Sequence, residues 1–125
     1  MNDDALQGFR ILIVEDNALL ALTVDSILRS AGADVVGPVG LLDEAEQLAA
    51  SEPITAALLD IKLNDDEVWP VARILAVRRI PFVFCSGHFD RGSLPAEWDG
   101  CPILAKPARA RQMIDALAAA IRGTG

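Results

Sequence analysis

Five polar side chains stand directly after short apolar runs. Glu15 and Asp16 follow Arg10 to Val14, and Asp60 follows Thr55 to Leu59. Ser86 follows Phe82 to Cys85, and Lys106 follows Pro102 to Ala105. If each run is a strand of one parallel sheet, all five groups meet outside the strands' carboxyl ends, where open α/β sheets bind ligands. Singly, each is ordinary: an Asp after a strand serves in a turn or a cap, and a Lys before Pro is solvated. Five at five expected positions argue for a site. Three carboxylates packed together repel, and their pKa values rise unless a positive group joins them. A hard divalent cation resolves this, and Mg²⁺ suits few carboxylates, retained waters and phosphate oxygens. Asp16 and Asp60 are the expected direct ligands, Glu15 acts through water, and the main-chain carbonyl at Lys62 completes the protein's share. A carboxylate oxygen of Asp60 can attack phosphorus to give an acyl phosphate. Lys106 would then neutralise the phosphoryl oxygens and Ser86 would hydrogen-bond one of them.

The elements that must position these groups alternate along the chain. The run from Arg10 to Val14 reads as a buried strand. Asn17 caps a helix whose Leu20, Val24, Ile27, Leu28 and Ala31 recur at helical spacing before Gly32 stops it. A second strand spans Asp34 to Gly37 and ends at Gly37-Pro38. A second helix spans Leu41 to Ala50, and Thr55 to Leu59 is the third strand. Residues 61–67 read as a polar loop, and Pro70 fits the first turn of a helix running to about Arg78. Phe82 to Cys85 and Pro102 to Ala105 are strands four and five, and Arg109 to Ile121 is the last helix. This order implies an α/β fold, a parallel sheet with helices on both faces. Residues 87–101 hold Gly87, Gly92, Pro95 and Gly100. That connection is expected to be irregular or only briefly helical, around Leu94 to Trp98.

The 125 residues make one domain, 1–125, large enough for a core without staples. The net charge of -7 disfavours binding to nucleic acid or to an anionic membrane, and it is compatible with cation binding or with solubility alone. Cys85 and Cys101 lack metal-site spacing and read as thiols in a reducing compartment. The acidic start, Met1-Asn2-Asp3-Asp4, is unlike a signal peptide. No apolar run approaches the ~20 residues of a membrane span. A cytoplasmic protein is expected.

Arg-Ile-Leu-Ile-Val-Glu-Asp-Asn (10–17), Leu-Leu-Asp-Ile (58–61), Phe-Cys-Ser-Gly (84–87) and Ala-Lys-Pro (105–107) resemble the receiver domain of two-component response regulators. The resemblance covers nearly the whole chain. It implies a flavodoxin-like, doubly wound five-stranded sheet of order 2-1-3-4-5 and a cis Lys106-Pro107 peptide. It also implies transfer of a phosphoryl group to Asp60 from a histidine kinase or a histidine phosphotransfer protein. Such a domain is a phosphoacceptor rather than an enzyme, and its output is a downstream protein partner or the draining of phosphate from a kinase. The run Pro81 to Gly87 is similar to the signature of the alphaproteobacterial FATGUY receivers. Those include stand-alone regulators and receivers attached to hybrid kinases of the HWE type, and their fourth helix is often short.

The chain departs from the family pattern in places. Ile103 stands where many receivers carry a switching aromatic, and Ala108 where many carry an aromatic after Lys-Pro. Asn64 takes the place of a turn glycine and is expected in a left-handed conformation. Lys62 and His88 flank the site, either tuning the lifetime of the phosphoryl group or standing as ordinary exposed side chains. Asp65, Asp66 and Glu67 read as a solvated acidic turn, Cys85 as core filler, and Trp69 and Trp98 as edge packing. Two other classes remain to be separated. A pseudo-receiver binding module would keep the fold without phosphorylation. A hydrolytic or nucleotide-binding enzyme is disfavoured because the phosphate-binding glycine motifs are absent and Lys62 stands where an Asp-x-Asp phosphatase needs its second acid. Phosphorylation is expected to draw Ser86 and Lys106 inward and to order the 87–101 connection.

Overall fold

The computed structural model describes residues 4–87 and 94–124. Among the described residues, seven strands and four α-helices follow in the order β1 (Arg10–Val14), α1 (Ala18–Ser30), β2 (Asp34–Val39), α2 (Leu42–Ser51), β3 (Ala56–Asp60), β4 (Lys62–Leu63), β5 (Asp66–Glu67), α3 (Trp69–Val77), β6 (Phe82–Ser86), β7 (Ile103–Ala105) and α4 (Ala110–Thr124). The main sheet is parallel, in the order β2-β1-β3-β6-β7. This is a flavodoxin-like fold, with the spatial order that the resemblance implies.

Apolar runs make these strands because both faces of the sheet are covered. Successive side chains alternate between faces. Leu12, Val14, Ala57, Leu59, Phe82 and Phe84 therefore pack with Ala45 and Ala49 of α2 and with Val71 and Leu75 of α3. Ile11, Ile13, Ala56, Leu58, Val83 and Cys85 face Val24 and Leu28 of α1 and Met113, Ile114 and Leu117 of α4. Truncating one of these, such as Leu59→Ala, would cost about 2–5 kcal/mol through lost transfer energy and a residual cavity. The Asn17 side chain accepts the Leu20 N–H at 3.0 Å and starts α1 directly beyond the site. Gly32, at φ +93°, lets the chain turn back beneath Gln7, whose Cα would lie 3.0 Å from an added Cβ.

Several expectations are corrected. β2 continues through a cis Gly37-Pro38 peptide to Val39, which pairs with Val14. Residues 61–67 are not simply a loop. They form a small antiparallel hairpin, Lys62 opposite Glu67 and Leu63 opposite Asp66, which buries Leu63 while its acidic residues stay exposed. Trp98 is not edge packing. It is buried in a ring cluster, 5.7 Å from Phe82 and 6.2 Å from Phe84 between centroids, and Trp69 meets Phe84 edge-on at 5.5 Å. Between β6 and β7 the described residues form only a 3-10 turn at Ala96–Trp98, in agreement with a short, irregular connection. The expectation for residues 88–93, His88 included, lies outside the described residues. Among the described residues no helix is long and apolar enough to cross a membrane.

Candidate metal and phosphoryl site

β1, β3, β6 and β7 end side by side, so the polar residues that close them share one edge. Register sets Asp60 opposite Cys85 and Ser86 opposite Ala105, and the Lys106 N–H donates to the Ser86 carbonyl at 2.9 Å. The Lys106 ammonium reaches Glu15 Oε1 at 2.7 Å and Asp60 Oδ2 at 2.9 Å. Glu15 also accepts the Asn17 N–H at 3.2 Å, and Asp16 Oδ2 accepts the Asn64 N–H at 2.7 Å. One carboxylate oxygen from each of Glu15, Asp16 and Asp60 lies within 4.8 Å of the others. Glu15, Asp60 and Ser86 are buried, whereas Asp16 is half-buried.

Burial works against so much negative charge. Desolvation pushes the Asp60 carboxyl up to about 7, the Lys106 hydrogen bond pulls it back, and the neighbouring Glu15 charge raises it again. For Lys106, burial by itself would lower the pKa. Its hydrogen bonds to Glu15 and Asp60 outweigh that and hold the ammonium above its ordinary value. One ammonium does not balance three acids; a proton on Asp60 relieves part of the excess charge, and a cation with oxygen ligands would relieve the rest. Three converging carboxylate donors, one of them half-buried, fit Mg²⁺ better than a softer ion.

The structure thus brings together Glu15, Asp16, Asp60 and Lys106 and sets Ser86 on the same edge. Lys62 lies on β4 with its side chain exposed, opposite Glu67 and outside the acidic group. Glu15 is engaged directly by Lys106, a contact that sequence reasoning missed because it depends on side-chain reach across three strands. Asn64 adopts the expected left-handed conformation at φ 57°, and Lys106-Pro107 is cis. Cys85 lies beneath the site, and burial pushes its thiol up to about 12, consistent with an inert filler. With a small residue at Ala108, an apolar groove of about 400 Å³ opens between α1 and α4, with Lys106 and Asp60 at its head.

Comparison with known proteins adds three findings. The chain is 35% identical to SdrG from Sphingomonas melonis Fr1, whose solution structure it matches over 94% of its own length and 98% of that chain, with a TM-score of 0.78. It is 30% identical to the signal receiver domain of a modulated diguanylate cyclase from Desulfovibrio desulfuricans G20, over 93% and 95% of the two chains, with a TM-score of 0.82. It is 29% identical over 121 residues to the transcriptional regulatory protein PdtaR of Mycobacterium tuberculosis, and it spans 59% of that protein's length. No family model matches.

Proposed function

This chain belongs to the receiver domains of two-component response regulators, and from that premise we propose that Asp60 is a phosphoacceptor whose phosphorylation carries the signal. The observation that carries the reading is the cluster itself: Asp60 is buried against Glu15 and held at 2.9 Å by Lys106, on an edge shared with Asp16 and Ser86. A buried group of acids at this cost to stability makes sense where a cation and a phosphoryl group are its ligands.

Asp16 and Asp60 would hold Mg²⁺ directly and Glu15 through water, with the carbonyl of Lys62 as a further ligand. When bound, the ion supplies positive charge to the phosphoryl oxygens. The Asp60 carboxylate attacks phosphorus of a phosphohistidine. The phosphorus–nitrogen bond breaks, its electron pair stays on the imidazole, which takes up a proton, and an acyl phosphate forms on Asp60. Lys106 neutralises an equatorial oxygen and Ser86 donates a hydrogen bond to another. The proposed donor is a histidine kinase or a histidine phosphotransfer protein, in the cytoplasm, and the output is contact with a downstream protein or withdrawal of phosphate from the kinase. Ile103 in β7 supports a switch in which Ser86 and Lys106 shift without an aromatic swinging inward. The Pro81 to Gly87 run supports placement in the FATGUY subgroup.

Incubation with acetyl phosphate tests this reading. Intact mass should rise by one phosphoryl group with Mg²⁺ and stay constant with EDTA, and Asp60→Asn should stay constant in both. Equal labelling of the Asp60→Asn protein would refute the reading, and a wild-type protein that never labels would favour a pseudo-receiver.

A further inference from the structure

Lys106 restrains Glu15 and Asp60, but Asp16 is restrained from a different direction. Its Oδ2 accepts the Asn64 main-chain N–H at 2.7 Å. Asn64 opens the turn of the β4–β5 hairpin at φ 57°, a conformation open to Gly and Asn and strained for β-branched residues. The hairpin is itself anchored, with Leu63 and Val68 buried and the Val68 N–H donating to the Ile61 carbonyl at 2.9 Å. Gly40 also closes on the same residue, since a Cβ there would lie 3.0 Å from Asp16 Cα. Asp16 is thus approached by two segments, and one of them aims a hydrogen-bond donor at its carboxylate.

We propose that Asn64 is a positioning residue of the metal site: its main-chain amide, presented by the left-handed turn, fixes the Asp16 carboxylate in the orientation that faces Glu15 and Asp60. The inference rests on the magnesium reading above. Asn64 does not touch the ion. It acts as an outer partner that orients a ligand, and such partners typically tune metal affinity by about 10–100-fold. A bond to an ionised oxygen is short and directional, so an amide displaced with its turn leaves the carboxylate free to rotate. What matters is the backbone conformation and not the Asn side chain. Glycine should therefore substitute freely, and valine should not.

Mg²⁺ titration by ¹H–¹⁵N NMR without any phosphodonor tests this in the full chain. Asn64→Gly should bind within about twofold of wild type and Asn64→Val about tenfold more weakly. Asn64→Ala serves as the milder variant if the valine protein does not fold. In EDTA, Asp16→Ala should move the Asn64 amide proton upfield and speed its exchange with solvent. Valine and alanine variants that both bind Mg²⁺ as tightly as wild type would overturn the inference, as would a glycine variant as weak as the valine one. An Asn64 amide unmoved by Asp16→Ala would overturn it alone. A wild-type protein that binds no Mg²⁺ would bring down the metal reading and this inference with it.

Discussion

The two ends of the sheet set similar groups in opposite surroundings. At the amino ends of the strands, Arg10 reaches Asp34 at 2.9 Å, Glu52 at 3.1 Å and the Pro53 carbonyl at 2.7 Å, in a network open to water. At the carboxyl ends, Lys106 likewise spans two acids, at 2.7 and 2.9 Å, but both acids are buried and Asp16 adds a third charge. The lower network is a solvated staple, each pair of which is worth ~1 kcal/mol or less. The upper one is a strained cluster, and the strain is a property of burial more than of residue type. One end is a weak surface staple, and the other, on the proposed function, trades stability for a place to bind a cation and a phosphoryl group.

The sharpest contrast is in chemistry. Asp60→Asn should reduce labelling by acetyl phosphate to background, whereas Arg10→Ala should label at the wild-type rate. Loss of labelling in the Arg10 variant, with its fold intact, would break the comparison. Next comes stability. In metal-free buffer at pH 8, Lys106→Met should cost about 2–4 kcal/mol in urea unfolding, because it strands two buried acids, and Mg²⁺ should restore part of that. Lys106 is partly exposed and Asp60 can take up a proton, which keeps the value toward the lower figure. Arg10→Ala, which removes two exposed pairs, should cost about 1–2 kcal/mol, and less in high salt.

The pH response separates the two ends more finely. The folded-state pKa of Asp60 is raised from 3.8 to about 7. Between those values the folded protein keeps a proton that the unfolded chain has released. The Asp60 contribution to metal-free stability therefore falls as pH rises through that window. Mg²⁺ needs the carboxylate, so binding should tighten roughly tenfold from pH 6 to pH 8. Calorimetric titration checks this, and Asp60→Asn should remove most of the dependence. The smallest effect is expected at the cap beside the site, where Asn17→Ala should cost ~1 kcal/mol of thermal stability.

The elements of the main sheet were legible because a two-faced parallel sheet needs uninterrupted apolar runs, and four of the five runs here end on a polar residue that has no place in the core. Glu15, Asp16, Asp60, Ser86 and Lys106 could be found that way. The hairpin at 62–67 was hidden because only Leu63 points inward and its acidic neighbours read as loop. Trp98 was misread because its burial depends on Phe82 and Phe84 from a distant strand, which no local pattern encodes. The extension of β2 past Gly37-Pro38 was missed for a related reason: a proline ends most strands, yet at a sheet edge it does not interrupt pairing with β1. Which acid meets Lys106, and which amide meets Asp16, are facts of side-chain reach that spacing alone cannot supply.

Reductive trapping bears most directly on Asp60 as phosphoacceptor. Wild-type protein treated with acetyl phosphate and Mg²⁺ is quenched with borohydride, which reduces an acyl phosphate to the alcohol, and is then digested and mapped by mass spectrometry. The expected result is one reduced site, at Asp60, absent when EDTA replaces Mg²⁺. Reduction at Asp16 or another acid, with Asp60 untouched, would contradict it.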